Sequence, residues 1–155
     1  MTEHKIPWDM KQQVLWIVRG YPRSRKEHLE RRRDILEQGG EKYTTVTVNG
    51  EERRVFMPSA HNASRTTEDR ELQLEALEKT LAFRQMRAVE HARDRIGAGL
   101  PEMLQDALRD AIMKNCIDRV KFPFERLYIA GISRKSFYRY KDAFIWDIAN
   151  ELGLL

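Results

Sequence analysis

Apolar residues recur at helical spacing along most of the chain, and the breaks between these runs predict where helices begin and end. Near the amino terminus, Val14 and Val18 lie on an apolar face, and Gly20 can terminate that helix in a left-handed conformation. Pro22 then suits the first turn of a second helix, which is mostly charged. We therefore predict that residues 1–40 form a basic helical segment of two helices, the second lying on the surface.

One stretch has the composition of β-strands. Two runs rich in β-branched and aromatic residues flank Asn49-Gly50, the dipeptide that most readily forms a type I′ hairpin turn. The small and polar residues that follow, 57–67, predict a loop, so residues 41–66 are predicted to be a β-hairpin and loop. Because an isolated hairpin is marginal in water, we expect this one to contact a helix or a second chain.

A long helical pattern follows the hairpin. Thr66 or Thr67 is a suitable N-cap, and apolar residues then recur without interruption to about Ile96. Residues 67–97 are therefore predicted to form a single connecting or dimerisation helix of ~45 Å. Such a helix either bridges the two basic parts of the chain or pairs with another copy of itself.

The carboxyl-terminal region, residues 98–155, predicts three helices, at about 101–121, 123–130 and 133–152. Between the last two, Gly131 can adopt a positive φ, Ile132 can be the buried apolar residue of the turn and Ser133 can cap the next helix, as a helix-turn-helix requires. The predicted fold is therefore mostly α-helical. A carboxyl-terminal helix-turn-helix is linked by the long helix to the amino-terminal helices, and there is one small β-hairpin.

The last predicted helix has two distinct faces. Phe137, Phe144 and Ile148 recur at core spacing, with Tyr140 or Ile145 completing the stripe, and the opposite face is basic and polar. Arginine can bind guanine or phosphate, while serine and tyrosine can bond phosphate oxygens. The predicted DNA-binding residues are Ser133, Arg134, Lys135, Ser136, Tyr138, Arg139 and Lys141.

The distribution of charge supports this interpretation more than the total does. The net charge is only +4, yet residues 19–33 hold seven basic and two acidic residues, and residues 114–142 hold eight and three. The rest of the chain is therefore net acidic. Clustered positive charge is typical of a phosphate-binding surface, although solvated helix faces are the plain alternative.

The first basic cluster is a candidate for a secondary contact. Arg23, Arg25 and Lys26 could reach backbone phosphates of DNA. They could equally be solvated, with Glu27 and Glu30 neutralising nearby arginines along the helix.

The remaining chemistry is sparse. With one cysteine and four histidines, the chain has no metal-ligand spacing, and we expect no metal and no cofactor. We find no glycine-rich phosphate loop and no Ser/His/Asp arrangement, so an enzyme is not expected. Cys116 lies among apolar residues and is interpreted as a packing residue. The absence of a signal sequence and of a long apolar run predicts a cytoplasmic protein without a membrane partner.

Three stretches carry a resemblance to a known family. They are VRGYPRSRKEHLERRRDIL, VFMPSAHNASRTTEDRELQLEAL and GISRKSFYRYKDAFIWDIANELG. In their order and spacing, the chain resembles the phage late-gene transcriptional activators of the RinA/ArpU type, whose carboxyl ends are similar to region 4 of sigma factors. The resemblance implies activation of late or packaging-region transcription through promoter DNA, with residues 134–141 as the reading helix and 131–133 as the turn.

These observations predict a sequence-specific DNA-binding transcriptional regulator of phage or prophage origin. The expected partners are double-stranded DNA, a second copy of the chain in a homodimer, and RNA polymerase. The alternative is an oligomeric helical adaptor or phage packaging protein that binds DNA nonspecifically. Sequence preference separates the two hypotheses, because only the first requires discrimination between promoter and random DNA.

Overall fold

The computed structural model describes residues 5–37, 42–57 and 63–155, and this part of the chain is mostly helical, as predicted. Six α-helices and two β-strands lie within these ranges. They are α1 (Trp8–Glu37), β1 (Lys42–Val48), β2 (Glu51–Met57), α2 (Ala63–Glu78), α3 (Leu81–Arg95), α4 (Glu102–Ile117), α5 (Phe124–Leu127) and α6 (Arg134–Glu151).

The chain divides into two compact units. The first unit comprises Met1–Ser24 and Arg84–Leu155, and the second comprises Arg25–Phe83. The boundaries between the units lie inside α1 and α3, whereas the segments predicted from the sequence end at residues 40, 66 and 97. In the first unit, α1, α3, α4 and α6 each contribute apolar side chains to one core. Its largest fully buried apolar side chains are Val14, Val18, Val89, Leu108, Ile112, Phe137, Phe144, Ile145 and Ile148.

The amino-terminal region forms one helix where two were predicted. α1 continues through Gly20 and Pro22, so the predicted helix end at Gly20 is wrong. Pro22 has no N–H to donate to the carbonyl of Val18, which weakens the helix locally. Val18 and Tyr21 are nevertheless buried on the side of α1 that faces the core. We infer that this burial outweighs the local helix-breaking signals.

The predicted long helix is interrupted. α2 ends at Glu78 and α3 begins at Leu81, so an unbroken helix over residues 67–97 is wrong. The cause is Thr80, whose Oγ1 donates to the carbonyl of Leu77 (2.8 Å) and accepts from the N–H of Phe83 (3.2 Å). The hydroxyl thus replaces helical backbone bonds and caps α3.

The start of α2 also differs from the prediction. The helix begins at Ala63, so neither Thr66 nor Thr67 is its N-cap. Part of the predicted loop, residues 58–62, lies outside the described residues.

Strands β1 and β2 pair antiparallel, with Val48 opposite Glu51. The two residues between them, Asn49 and Gly50, have φ values of 55° and 82°. Positive φ at both central positions is what a type I′ turn requires. This pairing is the hairpin that the Asn49-Gly50 dipeptide predicts.

Within the first unit, side chains of α4 donate hydrogen bonds to backbone carbonyl groups at the end of α3. Arg109 donates from Nε to the carbonyl of Arg93 (3.2 Å), and Gln105 donates from Nε2 to the carbonyl of Ile96 (3.1 Å). The last carbonyls of a helix have no partner inside it, so these bonds fix α4 against α3. The turn between the helices needs Gly97, because its φ is 65° and an added Cβ would lie 3.1 Å from a side-chain carbon of Leu100.

Candidate nucleic-acid interface

The turn before α6 has the conformation that the sequence predicts. Gly131 has a φ of 84°, in the left-handed region that glycine tolerates best. Ser133 is the N-cap of α6, and its Oγ accepts from the N–H of Ser136 at 3.1 Å. Ile132 is only partly buried, so the side chain expected to fill the turn remains partly accessible. Glycine and cap together fix where α6 begins.

The helix before this turn is shorter than predicted. α5 has a single turn of four residues, and Tyr128 ends it with a left-handed φ of 49°. Pro123 is its N-cap. The ring of Phe124 lies 5.2 Å from that of Phe137, which is fully buried in α6. This aromatic contact holds α5 against the first turns of α6.

Six of the seven predicted DNA-binding residues retain some access to solvent. Ser133, Arg134 and Lys135 are exposed, whereas Ser136, Tyr138 and Arg139 are partly buried. Their common location is the first two turns of α6. The positive end of the helix dipole also lies at these turns, which favours an anionic ligand.

Lys141 is the exception, and its prediction as a DNA contact is wrong. Its side chain is only 4% exposed, and Nζ donates to Oδ1 of Asn115 on α4 at 2.7 Å. The spacing explains the burial, because Lys141 follows Phe137 by four residues and precedes Ile148 by seven. It therefore lies on the core stripe, and this signal was available in the sequence.

Asn115 extends this buried contact to the next loop. It is itself fully buried, and its Nδ2 donates to the carbonyl of Phe122 at 2.8 Å. Lys141, Asn115 and Phe122 therefore form a hydrogen-bonded chain, which we call the Lys141 tether. Nothing in the composition of α4 singles out Asn115, so sequence reasoning missed this element.

Burial shifts the pKa values of two side chains, Lys141 of the tether and its neighbour Cys116. Desolvation lowers the pKa of Lys141, and the neighbouring cations Lys11 and Arg119 act in the same direction. Desolvation also raises the pKa of the Cys116 thiol to about 11. The Cys116 side chain is buried, as the packing interpretation predicted, and the Nε of Arg19 donates to its backbone carbonyl at 3.4 Å.

Arg134 is held at the surface by weak contacts. Its Nη1 lies 3.4 Å from Oε1 of Glu125 on α5, and both side chains are more than half exposed. Its guanidinium also lies 5.8 Å from the centre of the Tyr138 ring. An exposed ion pair of this kind contributes ~0–1 kcal/mol, so it restrains Arg134 without removing it from solvent.

The predicted secondary contacts are all on α1. Arg23, Arg25 and Lys26 have exposed side chains. Arg23 belongs to the first unit, together with α6, whereas Arg25 and Lys26 belong to the second unit. The structure therefore does not place the three residues on one unit.

Among the side chains that the structure describes, no group of three His, Cys, Asp or Glu residues could hold a metal ion. Nor do the helices within the described residues include one with the length and apolar character of a membrane span.

No protein-family model matches the sequence, and the comparisons with curated proteins and with solved structures also found no match.

Proposed function

We propose that the protein is a sequence-specific DNA-binding transcriptional regulator whose reading element is the first two turns of α6. The observation that carries the proposal is a basic helix start that is both exposed and fixed. Arg134 and Lys135 face solvent, while the Ser133 cap and the buried Phe137 ring fix the helix beneath them. A rigid scaffold with accessible donors is what groove recognition requires.

Arg134 and Arg139 are assigned to base or phosphate contacts within the major groove. Arginine binds guanine through two parallel hydrogen bonds, and each such pair contributes about 1–3 kcal/mol of discrimination. Ser133 and Ser136 are assigned to phosphate contacts at the helix start, where backbone N–H groups add positive potential. In this arrangement, the Gly131 turn and α5 act as a helix-turn-helix with a short first helix.

The resemblance to RinA/ArpU-type activators extends this proposal to phage late or packaging genes. An activator of this type acts near RNA polymerase, and a dimer would read two half-sites about one DNA turn apart. Leu72 and Leu81, which are both exposed, are candidate contacts for such a dimer.

Selection of bound fragments from a random pool of duplex DNA is the direct test of sequence preference. We expect a consensus to emerge, and Arg134→Ala or Arg139→Ala should then reduce discrimination between the consensus and random DNA. The expected loss is about 1–3 kcal/mol where the missing contact is bidentate to a base. Binding is measured by fluorescence anisotropy at several salt concentrations, since affinities depend strongly on salt.

Arg87→Ala is the matched control. Arg87 is an exposed arginine on α3 with an ion pair to Glu90 at 3.0 Å, so its loss changes charge and pairing in the same way. It should leave discrimination unchanged. Selection that yields no consensus would contradict the proposed function.

A second candidate is the oligomeric adaptor or packaging protein. It is favoured by Trp8 and Trp16 of α1, whose side chains are about three-quarters exposed at 75% and 76%. Tryptophan is enriched at the centres of protein interfaces, so this face suits a partner chain. Under this candidate, Arg134→Ala weakens binding to every DNA equally and reduces the salt dependence.

A further inference from the structure

We infer that the loop between α4 and α5, residues 118–123, is a second DNA-binding element, in which Arg119 and Lys121 bind phosphates of the duplex backbone. This inference rests on the proposed function and deepens it, because it assigns affinity to a part of the molecule outside α6. It is carried by the geometry of the loop, its charges and the Lys141 tether.

The loop is internally ordered and reaches into solvent. Asp118 closes it twice, since its carboxylate accepts from the N–H of Lys121 and its carbonyl accepts from the N–H of Phe122, both at 3.0 Å. Val120 lies at the tip and is 90% exposed, and Arg119 and Lys121 on either side are also exposed. Two cations are therefore presented on a short, closed turn that a duplex can approach.

The local charge is unbalanced. The ring of Phe122 has Lys121 Nζ at 5.4 Å and Lys114 Nζ at 5.9 Å from its centre. Between Lys114 and Phe122, the one carboxylate is Asp118, and it already bonds the backbone of the loop. Like charges gathered at one place repel, and a bound polyanion relieves that repulsion while it releases its own condensed counterions.

The Lys141 tether places the loop beside the reading element. Phe122 is bonded through Asn115 to Lys141, whose Nζ lies 5.8 Å from the Tyr138 ring. Arg134 lies at the same distance, 5.8 Å, from that ring. The end of the loop is therefore linked through Asn115 to the part of α6 that carries Tyr138. In this proposal, a duplex that meets the start of α6 also reaches the loop.

Lys141 and Asn115 are positioning residues in this arrangement. Neither reaches a ligand, because both are buried. A buried lysine costs desolvation free energy that one neutral partner offsets only in part, and the bond that Lys141 makes to Asn115 connects it to the loop. Unlike a direct contact, a positioning role predicts that a buried substitution alters DNA binding while both loop cations remain.

The test is the double variant Arg119→Ala/Lys121→Ala, assayed by anisotropy with the selected DNA and with random duplex of equal length. Each lost phosphate contact reduces the slope of log K against log salt by ~0.9, so we expect a reduction of about 2. Both DNAs should lose affinity by a similar factor, with discrimination unchanged. The matched control is Arg84→Ala/Arg87→Ala, which removes two exposed charges from α3 and should leave the slope as in the parent.

Lys141→Met provides the second measurement. Methionine keeps most of the side-chain length and both loop cations remain, so weaker binding to both DNAs would support the tether. Wild-type affinity in Lys141→Met would contradict the positioning role. If this variant fails to fold, the surface variant Arg119→Ala/Lys121→Ala still decides the inference.

The outcomes separate this inference from the proposed function. If the wild type binds DNA without sequence preference but the double variant has the smaller slope of log K against log salt, the loop contact is supported and the proposed sequence-specific regulator is contradicted. If Arg134→Ala loses discrimination while the double variant binds like the wild type, the loop contact is overturned and the proposed regulator is retained. Absence of duplex binding by the wild type overturns both.

Discussion

The two units of the molecule use similar helical patterns with different results. In the first unit, helices bury entire apolar stripes, including Phe137 and Phe144 of α6. In the second unit, none of the side chains that the structure describes is buried, and Leu29, Leu72 and Leu81 remain exposed. An amphipathic pattern is therefore sufficient to predict a helix, whereas a core also requires a facing apolar surface.

This difference has an energetic consequence. Most of the free energy that holds a helix in a folded protein comes from tertiary packing, because isolated helices are marginal in water. We therefore expect the first unit to determine the cooperative unfolding transition. The second unit should contribute little to it until its exposed leucines meet a partner.

The sharpest test of this contrast replaces one large apolar residue in each unit. Phe137→Ala, in the core of the first unit, should lower the free energy of unfolding by about 3–5 kcal/mol. Leu72→Ala, in the second unit at 62% exposure, should change it by less than ~0.5 kcal/mol. Urea denaturation followed by circular dichroism measures both. Equal losses in the two variants would remove the distinction between the units.

A buried thiol gives the first unit a specific alkaline response. The pKa of Cys116 is about 11 in the folded protein, against an ordinary value of 9.0. Because the folded pKa is raised, this contribution to stability is complete below pH 9 and is lost as the pH rises towards 11. The expected loss is about 2 kcal/mol by pH 10.5.

Cys116→Ala should remove that alkaline loss. Lys141, whose pKa is lowered, gives stability that rises with pH in the same range, and it is present in both proteins. Because Cys116 and Lys141 interact electrostatically, the difference between wild type and Cys116→Ala in urea titrations at pH 8 and 10.5 measures the thiol together with its effect on Lys141. Parallel pH profiles for the two proteins would mean that Cys116 ionises as readily as in an unfolded chain.

The smallest effects compare two helix caps. Ser133→Ala removes the cap of α6 in the first unit and should lower the unfolding free energy by about 1 kcal/mol. Thr80→Ala removes the cap of α3 in the second unit. It should leave the main transition in place and speed amide exchange at the start of α3, because weakly packed regions open locally. A global loss as large as that of Ser133→Ala would show that the second unit unfolds together with the first.

The features that the sequence predicts well are local ones. The Gly131 turn, the Ser133 cap and the stripe of Phe137 and Phe144 depend on neighbours within about two helical turns. Each residue's conformational preference there agrees with its final environment. The start of α6 could therefore be located from the sequence to within a residue.

The predictions are wrong where packing between distant residues, or the hydrogen bonds of a single hydroxyl, determine the local structure. Burial of Val18 and Tyr21 carries α1 across Pro22, which local rules treat as a break. Thr80 interrupts a helix whose apolar pattern is continuous. The charge of Lys141 predicts the exposed face of α6, although its spacing from Phe137 places it on the face that packs in the core. Its partner Asn115 lies 26 residues away in the chain, a pairing that no local pattern reveals.

Glu125 gives the Arg134 side chain a preferred position at the surface. Carboxylate and phosphate oxygens accept hydrogen bonds from a guanidinium in closely related geometries, so the ion pair keeps the arginine extended. Less side-chain entropy is then lost when an anion from a ligand takes the place of the carboxylate. The same glutamate competes with any anion for the guanidinium of Arg134. A small anion that binds at one point would therefore displace the glutamate poorly, whereas a duplex that binds at many points would displace it.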